Sequence, residues 1–359
     1  MYSNMGPIKG RNLGIMKRNW LLLGILAVTL GIGTVYGIAI HKYHVFPYTF
    51  FEMAKNYVNN IEEEDLQYGP WSIGVYTGST PFELTDPEDI SNPVLTAKDV
   101  KDIDAKFVAD PFMAIKAGRF YLFFEVLNRA NNQGDIGYAE SENGQKWEYK
   151  NILIDEPFHL SYPYVFEWEN NDYLILESNE DLSIRLYRAK SFPSEWEYVK
   201  SIFNGEHYVD PSIFRFNDTW WLFYTNPKND ALNLYFADEL MGDWRPHPMN
   251  PIVKLNKHIA RPGGRVLVHD GRIYRFTQDT EPRYGIQVFA FEIEELTKIT
   301  YKEKIVSAKP VVTMSGEGWN AYGMHHVDPH FIRGQWVASV DGRCGPSSSI
   351  PCKASSARK

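Results

Sequence analysis

The chain has 359 residues, 44% hydrophobic and 15% aromatic, with 45 acids against 37 bases for a formal charge of −8. That balance argues against nucleic acid or another polyanion as a partner. The only cysteines, Cys344 and Cys352, form no Cys-x-x-Cys pair that would suggest zinc, although they could bridge each other.

From the N-terminus, residues 1–19 carry Lys9, Arg11, Lys17 and Arg18 and no acid among the first eighteen. Trp20 to Ile40 is an uncharged run of 21 residues. At ~1.5 Å rise per residue it spans a ~30 Å hydrocarbon layer, and it exceeds the ~7 to 15 apolar residues of a cleaved signal core. The expectation is a single-pass transmembrane helix whose basic flank keeps the N-terminus cytoplasmic and places the rest on the extracytoplasmic, periplasmic or lumenal side. Gly33 and Gly37 make a weak small-x-x-x-small pair within it. Residues 41–67 repeat apolar positions at helical spacing, from Phe50 and Met53 to Ile61, before the run Glu62 to Asp65, and read as a helical stalk.

Residues 68–342 are expected to form an all-β, five-bladed β-propeller. Five residue-proline pairs, Asp110-Pro111, Tyr162-Pro163, Asp210-Pro211, Arg261-Pro262 and Asp328-Pro329, recur at spacings of 52, 48, 51 and 67 residues. That period suits propeller blades. Each pair is followed by a turn signal, such as Ala117-Gly118 or Asp270-Gly271, and then by an aromatic-rich strand, such as Phe120 to Glu125 or Thr219 to Thr225. A third strand can be read in the first four units, and Trp147, Trp196, Trp244 and Tyr301 mark a fourth. The fifth unit runs out near Gly342, so its expected completion is Trp71 to Leu84, which closes the ring and removes an open edge. The tail, residues 343–359, is rich in Ser, Pro and Lys and is expected to be disordered. Asn217-Asp218-Thr219 is a lone glycosylation sequon on a predicted turn.

The first strands of a propeller line its axis, which predicts that Asp110, Tyr162, Asp210, Arg261 and Asp328 meet at one mouth, near His159, His325 and His326. The competing explanation is that Asp before Pro only terminates a turn. The second strands align Glu125, Glu177, Thr225, Gln278 and Val340, and a carboxylate on an otherwise apolar face must be paired, protonated or used. Two signals carry less. Asp102-Ile103-Asp104 lies in a loop without the parallel α/β pattern of a nucleotide-sugar site. His325, His326 and His330 cannot all serve one metal ion, because alternate strand residues face opposite ways.

Several strings, among them Trp71-Ser-Ile-Gly-Val-Tyr-Thr-Gly, Phe107-Val-Ala-Asp-Pro-Phe-Met, Ile259-Ala-Arg-Pro-Gly-Gly-Arg-Val and Gly323-Met-His-His-Val-Asp-Pro-His, occur in an order that resembles the N-terminal domain of plant glucosamine inositolphosphorylceramide transferases and their bacterial relatives. In the plant proteins that domain precedes an exostosin-like glycosyltransferase domain, which implies a glycan or glycolipid ligand and a separate glycosyltransferase as partner. More distantly, the blades are similar to five-bladed glycosidases of the family 43 clan. That resemblance implies Asp110 as base, Asp210 as auxiliary aspartate, and a histidine, here His326, helping to seat an axial calcium ion. Where those enzymes place a Glu acid this chain has Arg261, leaving Glu125 or Glu177 as the acid. The expected ligand contacts are Tyr162, His159, Arg261, Gln278, Trp319, His325 and Asp328, with Arg261 clamping an anionic group and Trp319 or Tyr162 stacking on sugar. Hydrolysis, glycan binding in support of a glycosyltransferase, and a structural scaffold are the three functions these residues allow.

The basic flank and apolar run give a topology that protease protection measures. Protease added outside sealed membranes should digest propeller epitopes and spare residues 1 to 18; a soluble propeller with its mature N-terminus beyond residue 40 would show a cleaved signal instead.

Overall fold

A computed structural model describes residues 69–345 of the protein; the basic segment, the apolar run 20–40, the stalk and the tail beyond 345 lie outside the described residues. No helix among the described residues is long and apolar enough to cross a membrane. The described chain forms five antiparallel sheets of four to six strands.

Blade one is Ala105–Lys116, Arg119–Asn128, Gln133–Ser141 and Glu148–Ile154, in that order from the axis outward. Blade two is Ser161–Trp168, Asn171–Ser178, Ser183–Ser191 and Glu195–Asn204. Blade three runs Val209–Phe216, Thr219–Thr225, Ala231–Ala237 and Arg245–Pro246. Blade four has its inner strand broken into Arg261–Pro262 and Leu267–His269, followed by Arg272–Asp279, Gln287–Leu296 and Tyr301–Ile305. Blade five takes Val327–Ile332 and Gln335–Arg343 from the end of the domain and Trp71–Thr80 and Glu83–Thr85 from its beginning. The expected closure is observed, in register from Trp71 opposite Arg343 to Gly78 opposite Trp336. The last strand reaches Arg343, one residue past the expected boundary. Cys344 beyond it is buried and disulfide-bonded.

The tryptophans expected on fourth strands serve the turns that lead into them. The indole N–H of Trp147 donates to Gly144 O at 3.2 Å, that of Trp196 to Pro193 O at 2.7 Å and that of Trp244 to Leu240 O at 3.2 Å. Each ring keeps a large apolar surface for packing while its polar atom is satisfied. Trp196 meets Phe123 of blade one edge-on at 5.6 Å, so the rings also glue blade to blade.

The residue-proline pairs do more than open strands. In blades one to three the ladder shifts by one residue across the pair, between Ala109 and Phe112, Ser161 and Tyr164, and Val209 and Ser212. Each is a β-bulge, with the residue before proline in the left-handed region: φ is 52° at Asp110, 51° at Tyr162 and 50° at Asp210. Blade five has no such shift, and Asp328 sits in unbroken register opposite Ser339. Without the extra residue its side chain does not swing to the mouth with Asp110 and Asp210. This corrects the expectation of five equivalent neighbours.

Asp328 instead holds the middle of the axis. Its carboxylate receives Arg265 Nε at 2.5 Å and the backbone N–H of Met113 at 2.6 Å, and contacts His330 Nε2 at 3.0 Å. Arg265 also donates to Val165 O at 2.9 Å and Met113 O at 3.2 Å. One guanidinium from blade four thus ties blades one, two and five. The neighbouring cation holds the Asp328 carboxyl below the usual carboxylate range despite its burial.

A pair so buried is costly to break, because the survivor keeps its desolvation penalty. Arg265→Met and Asp328→Asn should each lower unfolding stability by ~3 to 5 kcal/mol, read as a lower midpoint in urea. A depressed carboxyl contributes stability above its unfolded value and loses it as pH falls through the folded one, so Asp328→Asn should also flatten the acid limb of the stability profile.

Candidate functional site

The bulges at Asp110 and Asp210 aim two carboxylates at one mouth of the axis, and second-strand residues of neighbouring blades complete the cluster. Glu177 Oε2 accepts the backbone N–H of Asp210 at 2.8 Å, and Asp341 Oδ2 accepts that of Asp110 at 3.1 Å. In these two bulges the residue before proline, its N–H taken out of the ladder, is capped by an acid from the blade before it. Glu125 holds the aligned position in blade one, opposite Ala109, and accepts no backbone N–H among the described residues. Its Oε1 lies 3.3 Å from His159 Nε2.

The two aspartates differ in their surroundings. Asp210 is gripped by Arg261, with Nε to Oδ2 at 2.6 Å and Nη2 to Oδ1 at 3.2 Å, and by Gln278 Nε2 at 3.0 Å. Arg261 Nη1 goes on to Asn229 Oδ1 at 3.0 Å. The guanidinium fork expected to clamp an anionic ligand is therefore spent on Asp210, and Gln278, fully buried, orients that carboxylate. The carboxylate of Asp110 has no hydrogen-bond partner among the described residues; His325 Nε2 and His326 Nδ1 each stand 3.8 Å from its Oδ1.

His325 is fixed by Asp341, with Nδ1 to Oδ1 at 2.7 Å, and by stacking on Trp71 at 4.0 Å between ring centroids. Burial opposes its protonation, but the Asp341 charge wins and raises its proton affinity. His326 goes the other way: it is wholly buried between the edges of Phe112 and Tyr162, and burial lowers its pKa to about 4. Neither of its ring nitrogens has a partner.

Other expected ligand contacts are placed inside the fold. Tyr162 is 0% exposed, and its hydroxyl meets Gly264 N at 2.8 Å and Ser212 Oγ at 2.9 Å, bridging blades two, three and four. Trp319 packs into blade five over Gly74 and Gly342, where an added Cβ would strike its ring, so it cannot stack on a sugar. His159, with its side chain 28% exposed, does stand at the mouth.

Sequence reasoning passed over Asp341, Tyr284 and Arg265. Asp341 sits one place beyond Val340 in the aligned second strands, displaced because blade five lacks a bulge. Tyr284 lies on the loop after Asp279, its ring 4.9 Å from the Arg261 guanidinium and edge-on to His325 at 5.2 Å; no periodic signal marks it. Arg265 lies three residues past Pro262, in the broken inner strand.

Ligands to an axial cation would come from Asp110, His325 and Asp341, whose donor atoms fall within 4.8 Å of one another. Calcium takes six to eight oxygens. Here His325 contributes a nitrogen, and Asp341 already accepts N–H groups from Asp110, His325 and His326. This donor set does not fit calcium.

A five-bladed propeller with an acidic cluster at one mouth has the fold of glycoside hydrolases. A glycoside hydrolase of Parabacteroides distasonis, described as putative, is similar over 74% of this chain and 98% of its own, with a TM-score of 0.57 and 14% identity. A thermostable family-43 glycoside hydrolase matches over 71% and 91%, with a TM-score of 0.51 and 19% identity. The sequence places the chain more narrowly. Residues 63–343 match the family described as glucosamine inositolphosphorylceramide transferase 1, N-terminal, and the chain belongs to that family. It is 37% identical over 303 residues to glucosamine inositolphosphorylceramide transferase 1 of Oryza sativa subsp. japonica and 35% identical over 298 residues to that of Arabidopsis thaliana. The matches cover 78% and 76% of this chain but 41% and 39% of those proteins.

Burial raises the Asp110 pKa to about 7, with His325 opposing and Asp210 and Asp341 adding to the rise. A carboxyl raised above its unfolded value of ~3.9 contributes fully below that pH and loses stability as pH climbs toward the folded value. Asp110→Asn removes the loss and keeps a residue tolerant of left-handed φ. The variant should match the wild type in urea at pH 4 and exceed it by up to about 4 kcal/mol at pH 8; equal destabilisation at both would make Asp110 structural.

Proposed function

We propose that the axial cluster is a glycosidase-like centre acting on a glycan or glycolipid, in which Asp110 activates water and Glu125 protonates the leaving oxygen. The observation that carries this is the inequality among the second-strand acids. Glu177 and Asp341 are occupied as caps of bulge N–H groups, whereas Glu125 is buried, uncapped and free to give a proton. Burial, followed by the charges of Asp110, Glu177 and Asp210, raises Glu125 well above the usual carboxylate range, as a general acid near neutrality requires. Asp110, unbonded and poised near pH 7, can take a proton from water. In the reaction, water oxygen bonds to the anomeric carbon as the glycosidic bond breaks, the Glu125 proton passes to the leaving oxygen and a water proton passes to Asp110. An inverting course needs carboxyls ~6.5 to 9.5 Å apart. Asp210, neutralised by Arg261, tunes the pair.

A second function is favoured by Arg261, which stands where the family 43 clan would supply its acid, and by the transferase names of the plant relatives. In that case the propeller binds glycan for a separate glycosyltransferase, held to the membrane by residues 20–40 with its mouth outside the cytoplasm.

Kinetics of Glu125→Gln and Glu177→Gln on oligosaccharides and activated aryl glycosides separate the possibilities. Glu125→Gln should cut turnover of poor leaving groups by about 10²- to 10⁴-fold and spare aryl substrates. Glu177→Gln should mainly lower stability. Glycan binding without turnover in the wild type, unchanged by Glu125→Gln, would favour the accessory function.

A further inference from the structure

We propose that Tyr284 is a ligand-contacting residue of the axial mouth, whose hydroxyl donates a hydrogen bond to a neutral sugar lying against Asp110 and Glu125. This role rests on the mouth taking a glycan, which both functions above require, and it adds the group that selects the glycan's chemistry.

The ring of Tyr284 is fixed while its polar tip is not. Its centroid lies 4.9 Å from the Arg261 guanidinium, and the ring meets His325 at 5.2 Å and Trp71 at 6.3 Å, edge-on to both. Arg261 holds Asp210 and His325 stands beside Asp110, so the ring touches a neighbour of each bulge aspartate. The backbone behind it has no slack, because a Cβ on Gly285 would strike His325 and Trp71. The base of the loop is closed by Ile286 N–H to Asp279 O at 3.2 Å and Thr280 N–H to Lys257 O at 3.1 Å. Yet the hydroxyl has no hydrogen-bond partner among the described residues. It is not one of the buried polar atoms left without one, so it touches solvent, and the residue is partly exposed.

Asp110 and Glu125 are in the same condition. Their carboxylate oxygens accept no hydrogen bond among the described residues, and none of them is a sealed, unpartnered atom. The charges acting on the Tyr284 hydroxyl are those of Arg261, Asp210, Asp110 and Glu125, which puts its oxygen within reach of the axial carboxyls. Three unpartnered groups that touch solvent therefore gather at a mouth where Arg261, Gln278, Glu177 and Asp341 are engaged with the protein.

Their chemistry differs. Burial first, and then Asp210, Asp110 and Glu125 against Arg261, keep the phenol protonated, so it is a neutral donor among acids. An anionic sugar would meet carboxyls that outnumber cations, with the one guanidinium already bonded to Asp210. A neutral sugar hydroxyl meets a donor fixed in advance.

Two measurements on the full chain test this. Because the hydroxyl bonds nothing within the protein, Tyr284→Phe should keep the wild-type midpoint in urea; a lower midpoint would give the hydroxyl a structural partner and overturn the proposal. Saturation-transfer NMR titrations with D-glucose and D-galactose should find at least one sugar that saturates, bound about three- to tenfold more weakly by Tyr284→Phe. The wild type should bind the uronate of that sugar about tenfold or more weakly than the sugar itself, and one singly deoxygenated form should bind wild type and variant alike. Failure of both sugars to saturate, an affinity that ignores the substitution, a uronate bound as tightly as the neutral sugar, or no deoxy form that levels the two proteins each overturns it. Weaker sugar binding by Tyr284→Phe in a protein that turns over no glycoside upholds the contact and sinks the hydrolytic function alone. Turnover lost in Glu125→Gln but untouched in Tyr284→Phe does the reverse.

Discussion

The left-handed residue before proline in the inner strands is the constraint from which the site descends. A non-glycine residue at φ near +50° costs on the order of 1 to 2 kcal/mol, and proline narrows its choices further. The chain accepts this cost at Asp110, Tyr162 and Asp210 and derives two things from it. The extra residue of the bulge turns the side chain toward the axis, and the displaced N–H becomes a donor that a neighbouring blade must satisfy. Glu177 and Asp341 do so for the two aspartates. Strain of this kind gathers where function needs a side chain aimed against strand geometry.

The axis carries two charge clusters of unlike purpose. In one, Arg265 and Asp328 neutralise each other and bond to backbone on blades one and two, a closed arrangement with little left to offer a ligand. In the other, acids outnumber cations. Asp110, Glu125, Glu177, Asp210 and Asp341 face Arg261 and His325, so desolvation and mutual repulsion force some of the carboxyls to keep their protons. Excess negative charge in a buried place works against stability.

The N-terminal strand joins the acid-rich cluster to the closure of the ring. Trp71 begins the strand that completes blade five, and its indole lies flat on His325, whose imidazole is bonded to Asp341. Closing the ring therefore also finishes the wall of the site. Gly285 and Gly323 crowd against the same indole, leaving no room for side chains there.

Fold class, blade number, strand order and ring closure were legible in the sequence, because turn residues and alternating aromatics are local signals that a repeat displays five times over. Glu125, Glu177, Asp110 and Asp210 were legible as candidates for the same reason. The sequence could not show that Asp328 leaves the cluster, since a bulge is a property of two paired strands and the residue-proline spelling is the same with or without it. Nor could it distinguish Glu125 from Glu177, which occupy one aligned position and differ only in whether an N–H from the next blade reaches them. Tyr162 and Trp319 look like sugar platforms by composition. Their neighbours Gly264, Gly74 and Gly342, distant or unremarkable in the chain, bury them. Local chemistry decided what the elements are; which carboxyl is capped, paired or free was decided by contacts between blades, which exist only after the ring has closed.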